Sequence, residues 1–165
     1  ECDYYKIESV LLSRHQSTLE LVKQIDYTKP KIIACSYFFD KSELLLLKKI
    51  FKKLKIGISS NPKRFDKNYF QSVASLTNIF YYDLNIYEKD DIKTFSIYDC
   101  LDQINFLRKL KKPIYIGGGI SHKNAKVVIN NAHPHGLDIS RSLKDGKNDL
   151  CEKKLNRLIQ SLSVG

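Results

Sequence analysis

Two short stretches of this chain carry residue types that can hold an anion. The first is Ile114-Tyr115-Ile116-Gly117-Gly118-Gly119-Ile120, where three of the chain's seven glycines end an apolar run and lead through Ser121 into a segment with helical spacing. Without a Cβ, backbone N–H groups there can approach a phosphate closely, next to a helix N-terminus. The same glycines read equally well as a tight turn that needs positive φ. The second stretch, Leu137-Asp138-Ile139-Ser140-Arg141-Ser142, tips the balance, because it ends another apolar segment and supplies hydroxyl and guanidinium donors suited to phosphate oxygens. The candidate phosphate-binding residues are therefore Gly117, Gly118 and Gly119 with Asp138, Ser140, Arg141 and Ser142.

A third candidate can move protons. Asp83 follows Ile79-Phe80-Tyr81-Tyr82, where low polarity raises a carboxyl pKa and lets the acid donate near neutral pH. The plainer alternative is a loop aspartate or a helix cap. His122, His133 and His135 have no third partner at a metal-ligand spacing, and Cys2, Cys35, Cys100 and Cys151 lie far apart with no C-x-x-C pair. Neither a metal site nor a disulfide framework is expected.

These residues need strands and helices to position them. The pattern predicts strands at 3–9, 31–38, 55–60, 78–84, 113–117 and 136–139, and helices at 16–26, 40–54, 62–77, 97–110, 121–131 and 149–162. Ser17 or Ser13 opens the first helix, Asp40 with Glu43 forms a capping box for the second, and Pro62 stands in the first turn of the third. Short apolar strands alternating with helices require crossover connections and a parallel sheet. An open doubly wound sheet and a (β/α)8 barrel both fit, and in both the ligand lies beyond the carboxyl ends of the strands. Those ends are Glu8 and Ser9, Tyr37, Ser59 to Asn61, Asp83 to Asn85, Gly117 to Gly119 and Asp138 to Ser142. Paired phosphate-binding turns after the last two strands favour the barrel.

With 165 residues, 42% hydrophobic and 28% charged, the chain is read as one barrel domain, 1–165. It has no run of eighteen uncharged apolar residues and no signal-peptide pattern, so no membrane partner and a cytoplasmic location are expected. The net charge of +10 admits nucleic acid, but the lysines are scattered. Lys48, Lys49, Lys52, Lys53 and Lys55 alternate with Leu45, Leu46, Ile50, Phe51 and Leu54, the pattern of a helix with one wet face, and nucleic acid is not expected as a partner.

The C-terminal half resembles the phosphoribosylanthranilate isomerase family, a (β/α)8 barrel of tryptophan biosynthesis. That family's seventh strand reads approximately L-A-G-G-L-x-x-x-N, and here Gly118, Gly119 and Asn124 stand at the matching positions, with Gly117 where alanine is usual, which narrows the phosphate-binding glycines to Gly118 and Gly119. Its eighth reads D-V-S-S-G-V-E, matched by Asp138, Ile139, Ser140, Arg141 and Ser142, with Arg141 in place of a serine and Lys144 in place of the glutamate. Its sixth strand ends in L-L-D before G-K-T-F, matched by Tyr82 and Asp83, then Lys93-Thr94-Phe95. The resemblance implies an aldose-ketose (Amadori) isomerase acting on a small phosphorylated substrate, without cofactor or metal, as a monomer or homodimer.

It also implies roles. Asp83 would be the acid, and Arg14, in Ser13-Arg14-His15-Gln16-Ser17, would take the substrate's carboxylate, although the family's proline before that arginine is missing. The family's first-strand K-I-C-G, which carries the general-base cysteine, has no counterpart here, and Cys2 falls on the wrong strand. About six βα units are read where the barrel has eight. The expectation is either segments missing from the chain or a reduced relative, in the second case an inert protein that binds a phosphorylated ligand or a partner chain.

Overall fold

The structure, a computed structural model, describes residues 8–13, 17–35, 39–88 and 91–163. Cys2, Arg14 and Tyr37 lie outside the described residues. Chain contacts divide the protein into two compact units, Glu1–Ser60 with Asp66–Tyr81, and Asn61–Phe65 with Tyr82–Gly165.

The first unit holds β1 (Val10–Ser13), α1 (Thr18–Thr28), β2 (Ile32–Cys35), α2 (Lys41–Ile50), β3 (Lys55–Ser60), α3 (Lys67–Val73) and the start of β4 (Ile79–Asp83). The first three strands run parallel, Val10 opposite Ile32 and Ile32 opposite Lys55. Ser17 and Asp40 open α1 and α2, each in a reciprocal capping box with Glu20 or Glu43, which satisfies N–H groups that a helix start otherwise leaves unpaired. The core contains Leu21, Ile33, Leu44, Leu47, Ile56, Ile58, Phe70 and Phe80, all fully buried.

Several expected boundaries move. Residues 3–7 of the strand expected at 3–9 lie outside the described residues, and Ser9 precedes β1, its carbonyl accepting from the Lys31 and Ile32 N–H groups. Glu8 and Ser9 therefore stand at the amino end of the strand, and Glu8 pairs with Lys55 at 2.5 Å. Four consecutive leucines leave the buried face of α2 ambiguous in the sequence. Leu44 and Leu47 are buried, whereas Leu45, Leu46 and Ile50 of the expected apolar stripe are exposed. The helix expected over 62–77 is a 3-10 turn, Pro62–Arg64, followed by α3, because Asn61 and Asp66 each cap a separate start.

The second unit takes the end of β4 into an antiparallel hairpin, β5 (Asn85–Glu88) and β6 (Asp91–Thr94), then α4 (Ile97–Lys109), β7 (Ile114–Gly117), α5 (Ala125–Ala132), β8 (Gly136–Leu137), a 3-10 turn at Arg141–Leu143 and α6 (Glu152–Ser163). Tyr82 is buried, donates to Gln103 Oε1 at 2.5 Å, and meets Phe65 edge to face at 6.3 Å. The hairpin is absent from the sequence-based expectation, and β8 is two residues long where four are expected.

Among the described residues six parallel strands are ordered β1-β2-β3-β4-β7-β8, with helices between them, in the pattern of an α/β barrel. No helix among the described residues is long and apolar enough to cross a membrane.

The two faces of α2 make a direct test of this packing. Leu47→Ala should cost about 2–5 kcal/mol, as for other buried leucines, and Leu46→Ala within about 0.5 kcal/mol, both read from urea unfolding. Equal costs would mean that the buried face is wrongly assigned.

Candidate active site

In the strand order, β4, β7 and β8 are neighbours, so their carboxyl ends bring Asp83, Gly117 to Gly119 and Asp138 side by side within the second unit. The Leu84 N–H donates to the Gly117 carbonyl at 2.9 Å and the Asp138 N–H to the Ile116 carbonyl at 2.8 Å, which fixes the level of the three ends. Alternation along β4 buries Phe80 and Tyr82 and leaves Asp83 half-buried at the strand's end.

Gly118 and Gly119 have φ of +85° and +66°, a region that side chains disfavour. Their lack of Cβ also serves packing. A Cβ at Gly118 would stand 2.1 Å from Asp83 Oδ1 and 2.6 Å from the Leu84 and Asn85 nitrogens. One at Gly119 would stand 2.9 Å from Thr94 Cγ2, and one at Gly117 3.1 Å from Asp138 Cβ. Gly117 has ordinary φ, so it owes its place to the approach of Asp138. The turn reading of the triple glycine is realised at Gly118 and Gly119.

The helix does not start where expected. Ser121 to Asn124 form a turn and α5 begins at Ala125, so the glycines are not directly at a helix N-terminus. Asn124 makes no cap bond to its helix. Instead its Oδ1 accepts from the Ser121 N–H at 2.8 Å and its Nδ2 donates to the Gly119 carbonyl at 3.0 Å, bracing the turn. Ser142, expected to face a phosphate, donates to the Ile120 carbonyl at 2.5 Å and so ties the β8 loop to the β7 turn. Asp138, Ser140 and Arg141 are exposed.

Asp83 also meets its plainer reading. Its Oδ1 accepts from the Asn85 N–H at 2.9 Å, a local turn that redirects the chain into β5. The hairpin then supplies residues that the sequence reading missed. Asn85, buried and paired across the hairpin with Thr94, accepts from Thr94 Oγ1 at 2.7 Å, and Tyr87 donates its hydroxyl to Asp83. The signal was present as two tetrads with strand formers, Asn85-Ile86-Tyr87-Glu88 and Asp91-Ile92-Lys93-Thr94, around a polar pair.

Burial pushes the Asp83 carboxyl above the ordinary carboxylate range. The Asn85 N–H and Tyr87 hydroxyl oppose this by bonding the charged form, Asp138 adds to the rise, and Arg141 opposes it without cancelling it. Arg141 donates to the Tyr87 hydroxyl at 2.5 Å, its guanidinium carbon 5.1 Å from that ring's centre. In the first unit, Cys35 ends β2 fully buried, and burial followed by the Glu43 charge pushes its thiol up to about 12, so it is not a base at neutral pH.

No protein-family model matches the sequence, and no curated protein matches it. Solved structures do match. An N-(5'-phosphoribosyl)anthranilate isomerase from Pyrococcus furiosus is 18% identical, with 94% of this chain and 73% of that one covered and a TM-score of 0.69. The phosphoribosyl anthranilate isomerase of Thermococcus kodakaraensis is 14% identical over 97% of this chain and 76% of that one, with a TM-score of 0.71. The chain has the fold of phosphoribosylanthranilate isomerases. A 3-keto-L-gulonate-6-phosphate decarboxylase from Vibrio cholerae, 13% identical over 97% of this chain and 74% of that one, matches with a TM-score of 0.70. The architecture is thus shared across reactions, and function rests on the residues of the site.

Two outcomes test this geometry. Gly118→Ala should leave helical circular dichroism intact while displacing Asp83, seen as a changed carboxyl carbon-13 shift; an unchanged shift would refute the contact. The folded chain holds the Asp83 proton more tightly than the unfolded chain does. Its contribution to stability is therefore full below the ordinary carboxylate pKa and lost as pH rises through the raised folded value. Asp83→Asn should accordingly raise Tm at pH ~8, with the gain vanishing towards pH ~3, below the ordinary aspartate value. A lower Tm at the higher pH would contradict the buried-acid account.

Proposed function

We propose that this protein is a phosphoribosylanthranilate isomerase, converting N-(5'-phosphoribosyl)anthranilate to the carboxyphenylamino-deoxyribulose phosphate in tryptophan biosynthesis. One observation carries the reading: a carboxyl with raised proton affinity, Asp83, stands against the glycine turn at Gly118, with Asp138 and Arg141 acting on it.

In this reading the turn of Gly118 and Gly119 receives the substrate phosphate together with Asp138, Ser140 and Arg141. Anchoring there holds the ribose ring oxygen at Asp83. Asp83 protonates that oxygen, the ring C–O bond breaks with its electron pair on the oxygen, and a base then takes the proton from the adjacent carbon. Fixed orientation contributes to such a step as well as affinity does. No cofactor or metal takes part, and Arg14 is proposed to meet the substrate's carboxylate. The partner is a small phosphorylated molecule, with the protein a monomer or homodimer in the cytoplasm.

A second reading has its own observation. Cys35, the described cysteine at a strand's carboxyl end, stays a thiol, which suits a relative that binds the phosphorylated ligand without turning it over. Loss of anthranilate-type substrate fluorescence separates the two. Turnover that falls about 10²–10⁴-fold in Asp83→Asn supports the isomerase, as expected for loss of a general acid. Full activity in that variant excludes Asp83 as the acid. Tight calorimetric binding of the reduced product analogue without turnover supports the second reading.

A further inference from the structure

We propose that Tyr87 is a positioning residue that couples Asp83 to Arg141, so that a phosphate bound at the glycine turn shifts Asp83 into its proton-donating form. The idea rests on the reading of Asp83 as the acid and of the turn as the phosphate site. It concerns a residue on the β5–β6 hairpin, outside every motif that led to that reading.

Tyr87 has one hydroxyl proton. Because the oxygen accepts from Arg141 Nη2 at 2.5 Å, that proton is directed to the Asp83 carboxylate. The three groups form a relay from cation to carboxylate that favours ionised Asp83, as does the Asn85 N–H at 2.9 Å. Burial and the Asp138 carboxylate at the end of β8 work against it. Asp138, Arg141 and Tyr87 are the titratable or charged side chains that act on Asp83 among the described residues.

Arg141 is exposed and comes directly after Ser140, so a phosphate seated at the turn competes with Tyr87 for its guanidinium. Planar guanidinium groups bond phosphate oxygens in pairs and strongly. Once Arg141 turns to the phosphate, Tyr87 loses its donor and Asp83 loses the nearby positive charge, while the phosphate adds a negative one. Asp83 then takes up a proton from solvent, and the substrate's own tail has armed the acid. An empty site keeps Asp83 closer to its ionised form.

The test tracks the Asp83 carboxyl by carbon-13 NMR against pH, with saturating inorganic sulfate, which stays doubly charged where carboxyls titrate, and with chloride at matched ionic strength. In the unaltered protein the midpoint should rise by about one pH unit with sulfate. Tyr87→Phe should raise the midpoint already in chloride and lose at least half of the sulfate increment. Arg141→Gln tests the relay from its other end and should lose the increment likewise. An equal increment in Tyr87→Phe and the unaltered protein, or no increment in the latter, overturns the coupling. The outcome is separable from the assigned reaction: the expected shifts in a protein without anthranilate turnover uphold the coupling and refute the isomerase, whereas turnover without the shifts does the reverse.

Discussion

A single missing methyl group governs this site. With a Cβ on residue 118, Asp83 Oδ1 would lie 2.1 Å away, and the chain leaving β4 could not turn back through the Leu84 and Asn85 nitrogens. Gly118 lets two strand ends meet at backbone distance, and the neighbouring contacts depend on that meeting. The Leu84 N–H reaches the Gly117 carbonyl, Asn85 starts the hairpin, and Thr94 closes over Gly119. The β8 loop is bound to the same turn through Asp138 against Gly117 and Ser142 on the Ile120 carbonyl.

The second constraint is electrostatic. A carboxyl at the end of an apolar strand prefers to be neutral, yet Asp83 accepts two hydrogen bonds and stands near a guanidinium. Burial outweighs them, but the balance is held by charges at an exposed rim rather than by a buried ion pair. Such a balance responds to what binds there. A carboxyl poised in this way changes its protonation when the charges at the rim change.

Much of this was legible in the sequence where one residue type had one physical explanation. Asp40 with Glu43 fixed one helix start, Lys55 to Ser60 matched its strand to the residue, and the apolar run before Asp83 located β4. Legibility failed where two explanations competed. Leu44 to Leu47 could bury either of two faces, and only packing chose between them. Asn124 reads as a helix residue but spends both ends of its amide on the glycine turn, so α5 starts late. The hairpin is hidden because its two strands are only four residues each and begin or end on polar residues, so that the pairing of Asn85 with Thr94 appears only in the folded register. Ser142 could not be told from Ser140 as a phosphate donor, since the Ile120 carbonyl that takes its proton is twenty-two residues away.

The most direct test of the central claim is a crystal structure of the protein with the reduced product analogue bound. The account predicts the phosphate against Gly118 and Gly119, with Ser140 and Arg141 donating to it, Arg141 withdrawn from Tyr87, and the Asp83 carboxyl within hydrogen-bond distance of the ribulose chain. A phosphate bound elsewhere, or Arg141 still on Tyr87 with Asp83 turned away from the sugar, would contradict it.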